Sequence, residues 1–229
     1  TRHFKVTPLG QEFYAGCSKI IGQADQAQNV LLKQKNEPKG LIKLSCPPVM
    51  MEHQIRPLLN QFLKDHPQVD VEMELTSRRV DVLHDDIDLA IRTNFGVNED
   101  SSIIVRDVVK TTHCLVISPE LLQGRTIEHV TQINDYPTIV LGTQKAHYHW
   151  HLHNLKYQDE IKILLEPRIK SNDLAGVYYA VLDGLGIADL PYLTVKEDIE
   201  AGRLIHLLPD WCSNLGTVQL VYASRKGQR

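Results

Sequence analysis

Four histidines alternate in the segment Ala146-His147-Tyr148-His149-Trp150-His151-Leu152-His153. Successive side chains of an extended chain point to opposite faces, so all four imidazoles fall on one side of a strand. Such a row could hold a divalent metal ion, because neutral imidazole is a good ligand for transition metals. The opposite face carries Tyr148, Trp150 and Leu152, the pattern of a half-buried strand with its polar side in water. No carboxylate or cysteine stands beside the row in the sequence to complete a ligand set, so the expectation is no metal site. Repulsion between imidazolium charges on acidification is the second reading of the row.

The other residues that could do chemistry are fewer. Cys17, Cys46, Cys114 and Cys212 are scattered and form no C-x-x-C pair, which argues against structural zinc and a redox dithiol. Four free thiols fit a reducing cytoplasm, and Cys46 leaves thiol sensing open. Gly184-Leu185-Gly186 resembles the start of a dinucleotide loop but lies after a helical and before a strand-like run, so Gly184 reads as a helix stop. Ser171-Asn172-Asp173 reads as a helix cap, and no nucleophile elbow, H-E-x-x-H pair or phosphate loop occurs in the chain,. The expectation is therefore no enzyme and no cofactor. At Ser45-Cys46-Pro47-Pro48 a strand runs into a helix start, where free backbone amides suit an anion or merely meet water.

The elements that must position these residues alternate along the chain. Leu41 to Ser45 is a strand, and Pro47-Pro48 opens a helix with Ile55, Leu58, Leu59 and Phe62 on one face, ended by His66-Pro67. Val69, Val71, Met73 and Leu75 alternate as a second strand, Arg78 to Leu83 make a short helix, and Ile87 to Ile91 form a third strand with Asp88 and Arg92 at its ends. This βαβαβ order implies a parallel sheet with right-handed crossovers. A second series follows: a strand from His113 to Ile117, helices over Pro119 to Leu122 and Thr126 to Ile133, and a strand over Thr138 to Leu141. Next come a hairpin pairing Trp150 and Leu152 with Ile161, Ile163 and Leu165, a helix to Leu182, and a strand from Ile187 that stops at Pro191. Two α/β lobes in tandem make a cleft the natural ligand site, with Arg92-Thr93-Asn94-Phe95 at a strand's carboxyl end.

Before Gly40 the texture differs. Thr7-Pro8 starts a helix in which Leu9, Phe13, Cys17, Ile20, Ala24, Ala27 and Leu31 recur every three or four residues, a coiled-coil seam. One narrow apolar stripe is marginal alone, so the helix is expected to pair with a copy of itself. Lys35 to Gly40 reads as a linker.

Composition narrows the function classes. With 42% hydrophobic residues, 23% charged residues and a formal net charge of -3, the 229 residues lack the basic excess of a nucleic-acid-binding surface. No apolar run reaches the length of a membrane span, and Thr1 to Lys5 do not begin a secretory signal.

Several of these segments together resemble the LysR-type transcriptional regulators. Val6-Thr7-Pro8-Leu9-Gly10 is similar to the family's hinge into its dimerising linker helix, and Pro38 to Ser45 is similar to the start of its effector domain. Phe62 to Pro67, Asp86 to Arg92, Ser171-Asn172, Gly184 to Pro191 and Gly202-Arg203-Leu204 follow in the family's order. The resemblance implies an α/β fold of two Rossmann-like lobes as in type 2 periplasmic-binding proteins, preceded by a long dimerisation helix. Residues 1–39 would be the end of a wing, the linker helix and a hinge, and residues 40–229 the effector-binding domain. Lobe I would comprise about 40–111 plus 212–229, and lobe II about 112–211.

What the resemblance implies for function is a cytoplasmic sensor of a small-molecule effector, dimeric or tetrameric. It would act on promoter DNA through a winged helix-turn-helix lying before Thr1, and a closing helix would lie after Arg229. The family's inducer contacts fall on Pro47, Pro48, Val49 and Met50, on Thr93, Asn94 and Phe95, on Gly142 and Thr143, and on Asn172. The alternative is a free-standing solute-binding protein of the same fold, which would need an export signal.

Overall fold

The computed structural model describes residues 7–10, 13, 14, 16, 17, 20, 23, 38–96, 103–142, 147–157 and 159–223. Residues 8–10, 13, 14, 16, 17, 20 and 23 are helical. Ala24, Ala27 and Leu31 of the expected seam lie outside the described residues.

Lobe I is built on strands β1 (Gly40–Cys46), β2 (Val69–Leu75) and β3 (Leu89–Asn94). β1 pairs in parallel with both neighbours, as the βαβ pattern requires,. The sheet runs on through β12 (Leu215–Ala223) and β4 (Ile103–Ile117) to β9 (Ile187–Pro191), β5 (Thr138–Leu141) and β8 (Ile169–Ser171), with β10 (Ile205–Leu207) also on β4. β4 passes from one lobe to the other. Ile103 to Thr112 pair with β12, and His113 to Val116 pair with β9.

Lobe II is apolar on both faces of its sheet. Cys114 and Val116 pack with helices α4 (Leu174–Leu182) and α5 (Tyr192–Glu200) through Val177, Val181 and Val195. Leu115 and Ile117, one residue out of step, pack against Trp150, Leu152 and Ile163. Those residues belong to β6 (Tyr148–Asn154) and β7 (Glu160–Leu165), which with β11 (Trp211–Cys212) form a separate three-stranded sheet. Trp150 faces Ile163 and Leu152 faces Ile161, the hairpin register expected from the alternation.

Four expectations are corrected. Arg78 to Leu83 is not helical: Val80 and Val82 are both buried, a two-residue spacing that suits extended chain. Asp81 instead organises a turn, its side chain accepting from Leu83 N and its carbonyl from Asp85 N. The third strand starts at Leu89, because Asp86 takes a positive φ of 58° and Asp88 joins β1 partly through its side chain, which accepts from Lys43 N at 2.8 Å. Thr126 caps nothing; Gln132 accepts from Glu128 N and His129 N, and a 3-10 helix runs over Val130–Asp135.

The fourth correction concerns the helix after Pro47. It comprises α1 (Pro48–Met50), a π-helical stretch over Met51–Ile55, and α2 (Arg56–Asp65). The wider π turn breaks the 3.6-residue register on which the expected face depended. Ile55 and Leu59 still touch the core, whereas Leu58 is 70% exposed. α3 (Pro119–Leu122) forms as expected, with Ser118 accepting from Leu121 N.

Candidate functional site

A cavity of about 360 Å³ opens between the lobes. From lobe I it takes Ser45, Pro47, Val49, Met50 and Gln54, the Thr76 to Val80 turn, and Ala90 to Phe95. β4 contributes Thr111 and His113 at the crossing, and lobe II contributes Leu141, Asn172, Leu174, Pro191, Leu193 and Thr194. Of the expected contacts, Pro47, Val49, Met50, Thr93, Asn94, Phe95 and Asn172 all border this space. Pro48 and Gly142 do not, and Thr143 lies outside the described residues. Gly142, at φ 116°, donates its N–H to Ser171 O at 2.6 Å.

The expected amide cradle after Ser45 is small. Pro47 and Pro48 have no N–H, and Met51 N already donates to Pro47 O. Positive charge comes from side chains instead. The described lining includes Arg78, Arg79, Arg92 and His113 and no carboxylate. Arg78 is held by Glu74 at 2.9 Å and Asp85 at 2.7 Å; those pairs keep its guanidinium protonated above its already high value. Nε and Nη2 of Arg92 are buried. Thr111 is 7% exposed, and its Oγ1 has no hydrogen-bond partner among the described residues.

An aromatic shelf completes the site. Phe95 stands edge-on to His113 at 5.7 Å between centroids, and His113 Nδ1 lies 3.3 Å from Asp189 Oδ2. Ser213 donates to that same oxygen at 2.5 Å, so the serine hydroxyl serves the carboxylate rather than the imidazole and no nucleophile is activated. Beneath the shelf is Gly216, where a Cβ would meet the Phe95 ring and the Thr93 methyl at 2.8 Å.

The sequence reading missed Arg78, Arg79, Thr111 and His113. The adjacent arginines were visible, but assigning them to a helix hid them, and nothing local marks Thr111 as a strand-crossing position. Cys46 is 1% exposed, and burial pushes its thiol up to about 12, which leaves almost no thiolate near neutral pH. At Gly184-Leu185-Gly186 the structure shows a helix stop, with Gly184 at φ 72°. Gly186 lets the chain pass Pro137, whose carbonyl would lie 2.8 Å from an added Cβ.

The reading that no carboxylate accompanies the histidine row is also corrected. The hairpin sets Glu160 directly across from His153, with Oε1 3.1 Å from His153 Nδ1 and Oε2 3.2 Å from His151 Nε2.

Two lobes sharing the crossing strand β4, with a cationic, part-apolar cavity between them, define a small-molecule-binding module. The chain belongs to the LysR substrate binding domain family, which matches residues 35–229. It is 26% identical over 227 residues to the HTH-type transcriptional regulator PtxR of Pseudomonas aeruginosa, an alignment spanning 99% of this chain and 72% of that one. The regulatory domain of AphB from Vibrio vulnificus superposes with a TM-score of 0.68 at 27% identity, over 82% of this chain and 90% of that chain. CrgA of Neisseria meningitidis shares the fold, with a TM-score of 0.72 at 21% identity over 99% and 76% of the two chains. These relatives are transcriptional regulators, not enzymes, and the module here is the effector-binding part of such a regulator. Among the described residues no helix is long and apolar enough to cross a membrane.

Proposed function

We propose that the interlobe cavity is the effector site and that its ligand is a small organic acid with an apolar body. The observation that carries this reading is the lining itself, which includes Arg78, Arg79 and Arg92 and no carboxylate, together with the buried Thr111 hydroxyl, which has no hydrogen-bond partner among the described residues. A carboxylate supplies an acceptor for that hydroxyl and a charge opposite to the guanidinium groups, whose planar geometry suits it. Val49, Met50, Phe95, Leu174 and Leu193 give the remainder of the ligand an apolar surround. About 360 Å³ lies at the small end of ligand pockets,. Calorimetry with small mono- and dicarboxylates, each beside its uncharged amide, tests the reading. One carboxylate is expected to bind with its amide silent, and Arg92→Gln to weaken it at least about 10-fold, as loss of a charged hydrogen bond implies. Equal binding of acid and amide would refute it.

The same proposal has the chain act in the cytoplasm, as a dimer or tetramer that meets promoter DNA through a winged helix-turn-helix domain. Leu9 at 76%, Phe13 at 74% and Ile20 at 67% exposure support self-pairing of the N-terminal helix, with Cys17, Ala24, Ala27 and Leu31 continuing the seam. A chain starting at Lys39 that keeps the full-length oligomeric size would refute that part. The change of partners along β4 between Thr112 and His113 supports the division into lobe I, 40–111 plus 212–229, and lobe II, 112–211.

A further inference from the structure

We infer that the exposed face of the β6–β7 hairpin is a transition-metal site, with His151, His153 and Glu160 as ligands. One ligand atom from each lies within 4.8 Å of the other two. The tighter separations are 3.1 Å from His153 Nδ1 to Glu160 Oε1 and 3.2 Å from His151 Nε2 to Oε2. Tetrahedral zinc with ligand bonds of about 2.0–2.1 Å sets neighbouring ligand atoms roughly 3.3 Å apart. Each imidazole nitrogen therefore already stands near that spacing from a Glu160 oxygen, and the two nitrogens lie within 4.8 Å of each other, with the rings 4.6 Å apart between centroids.

The backbone fixes this arrangement. His151 and His153 are two residues apart on one strand and share a face, and register places Glu160 opposite His153,. Behind them Trp150 and Leu152 anchor the strand in the core, so the Cβ positions of the ligands are held rigidly. To bind, each imidazole carries its proton on the other ring nitrogen, Nδ1 in His151 and Nε2 in His153, and offers its lone pair to the ion. Two imidazoles and one carboxylate suit zinc, or nickel and copper, rather than calcium or magnesium, which take oxygen ligands. Three protein ligands leave a position for water. Lys162 lies opposite His151 on this face, and its charge opposes an ion; its long stem lets the ammonium swing into solvent. The site stands on the outer side of lobe II, apart from the residues that line the effector cavity.

The full chain titrated with zinc chloride in a calorimeter tests the assignment. One equivalent is expected per chain, with a rise in thermal midpoint as the ion ties the two strands together. Cobalt in its place should give the visible absorption of a four-coordinate ion. Glu160→Gln and His153→Gln are each expected to weaken zinc at least about 10-fold, a typical effect even of perturbing a metal's outer partners. His84→Gln is the matched control: His84 pairs with Asp81 at 2.8 Å, and among the described residues no second imidazole joins that pair. The inference is overturned if zinc fails to bind below millimolar concentration, or if the hairpin variants bind it as tightly as the unaltered chain or the His84 variant.

Discussion

Replacing Thr111 by valine separates a ligand-binding hydroxyl from a structural one. Thr111 lies on β4 across from Gly216, is 7% exposed, and its Oγ1 has no partner among the described residues. A buried hydroxyl without a partner costs about 1–3 kcal/mol in desolvation. Valine keeps the branched shape and removes that penalty, so the variant is expected to be as stable as the parent or more stable by about 1 kcal/mol. The effect on binding has the opposite sign. A hydrogen bond to a carboxylate contributes about 1.5–3 kcal/mol, and each 1.4 kcal/mol is roughly a factor of 10. Loss of the hydroxyl should therefore weaken the effector acid by about 10- to 150-fold.

Urea unfolding gives the first quantity and calorimetric titration the second. Opposite signs are what the reasoning requires. If Thr111→Val destabilised the chain by more than about 1 kcal/mol, the hydroxyl would be a structural donor in the folded protein. If stability held but affinity were unchanged, the hydroxyl would face the cavity without touching the ligand, and the polar end of the site would have to be placed at the arginines and His113.

Two further changes probe the frame around the site. Gly186→Ala puts a Cβ 2.8 Å from Pro137 O and 3.0 Å from the Ile139 side chain; the first contact is backbone and cannot swing aside, so a loss of about 1–3 kcal/mol is expected in urea unfolding. An alanine variant as stable as the parent would show that β9 and the Pro137 segment are not held so closely. The second concerns His206, on β10 beside Tyr192. Burial lowers its pKa below the ordinary 6.5, so between the two values the unfolded chain binds the extra proton. Stability therefore begins to fall as pH drops below about 6.5 and goes on falling until the depressed folded value is passed, by no more than about 1.4 kcal/mol per pH unit from this one group. His206→Leu should flatten that slope in unfolding curves taken between neutral and mildly acidic pH; an identical slope would assign it to other residues.

The parts of the fold legible in sequence were those whose local signal matched their final environment. Trp150 and Leu152 alternate with histidines because one face of β6 is core and the other is water, and Asp173 caps α4 through its own side chain at Ala175 N and Gly176 N. The failures have physical causes of other kinds. Val80 and Val82 lie in a run of helix-permissive residues, yet long-range burial decided their conformation. The π turn after Met50 shifted a helical face that spacing alone had fixed at 3.6 residues per turn,. Half of the cavity became recognisable only through juxtaposition: Arg92 was visible as the end of a strand, but its cationic company at Arg78 and Arg79 arrives from a turn that sequence assigned to a helix.

Juxtaposition also explains why β4 matters more than its length. Thr111 pairs with Gly216 in the sheet of lobe I, whereas His113, two residues on, pairs with Pro191 in the sheet of lobe II. Both side chains border the cavity, so a ligand that engages Thr111 and His113 touches the strand where its hydrogen-bond ladder changes lobe. Beyond that crossing, the lobes also meet through Tyr179, whose hydroxyl donates to Glu52 at 3.3 Å, and through the rings of His53 and Tyr178 at 4.9 Å. A ligand can shift lobe geometry only by its differential affinity for two arrangements. On the proposed reading, contacts to the crossing strand and to both walls would supply that difference, because a rotation about β4 would change the distance from Arg92 to Asn172 across the cavity that both border.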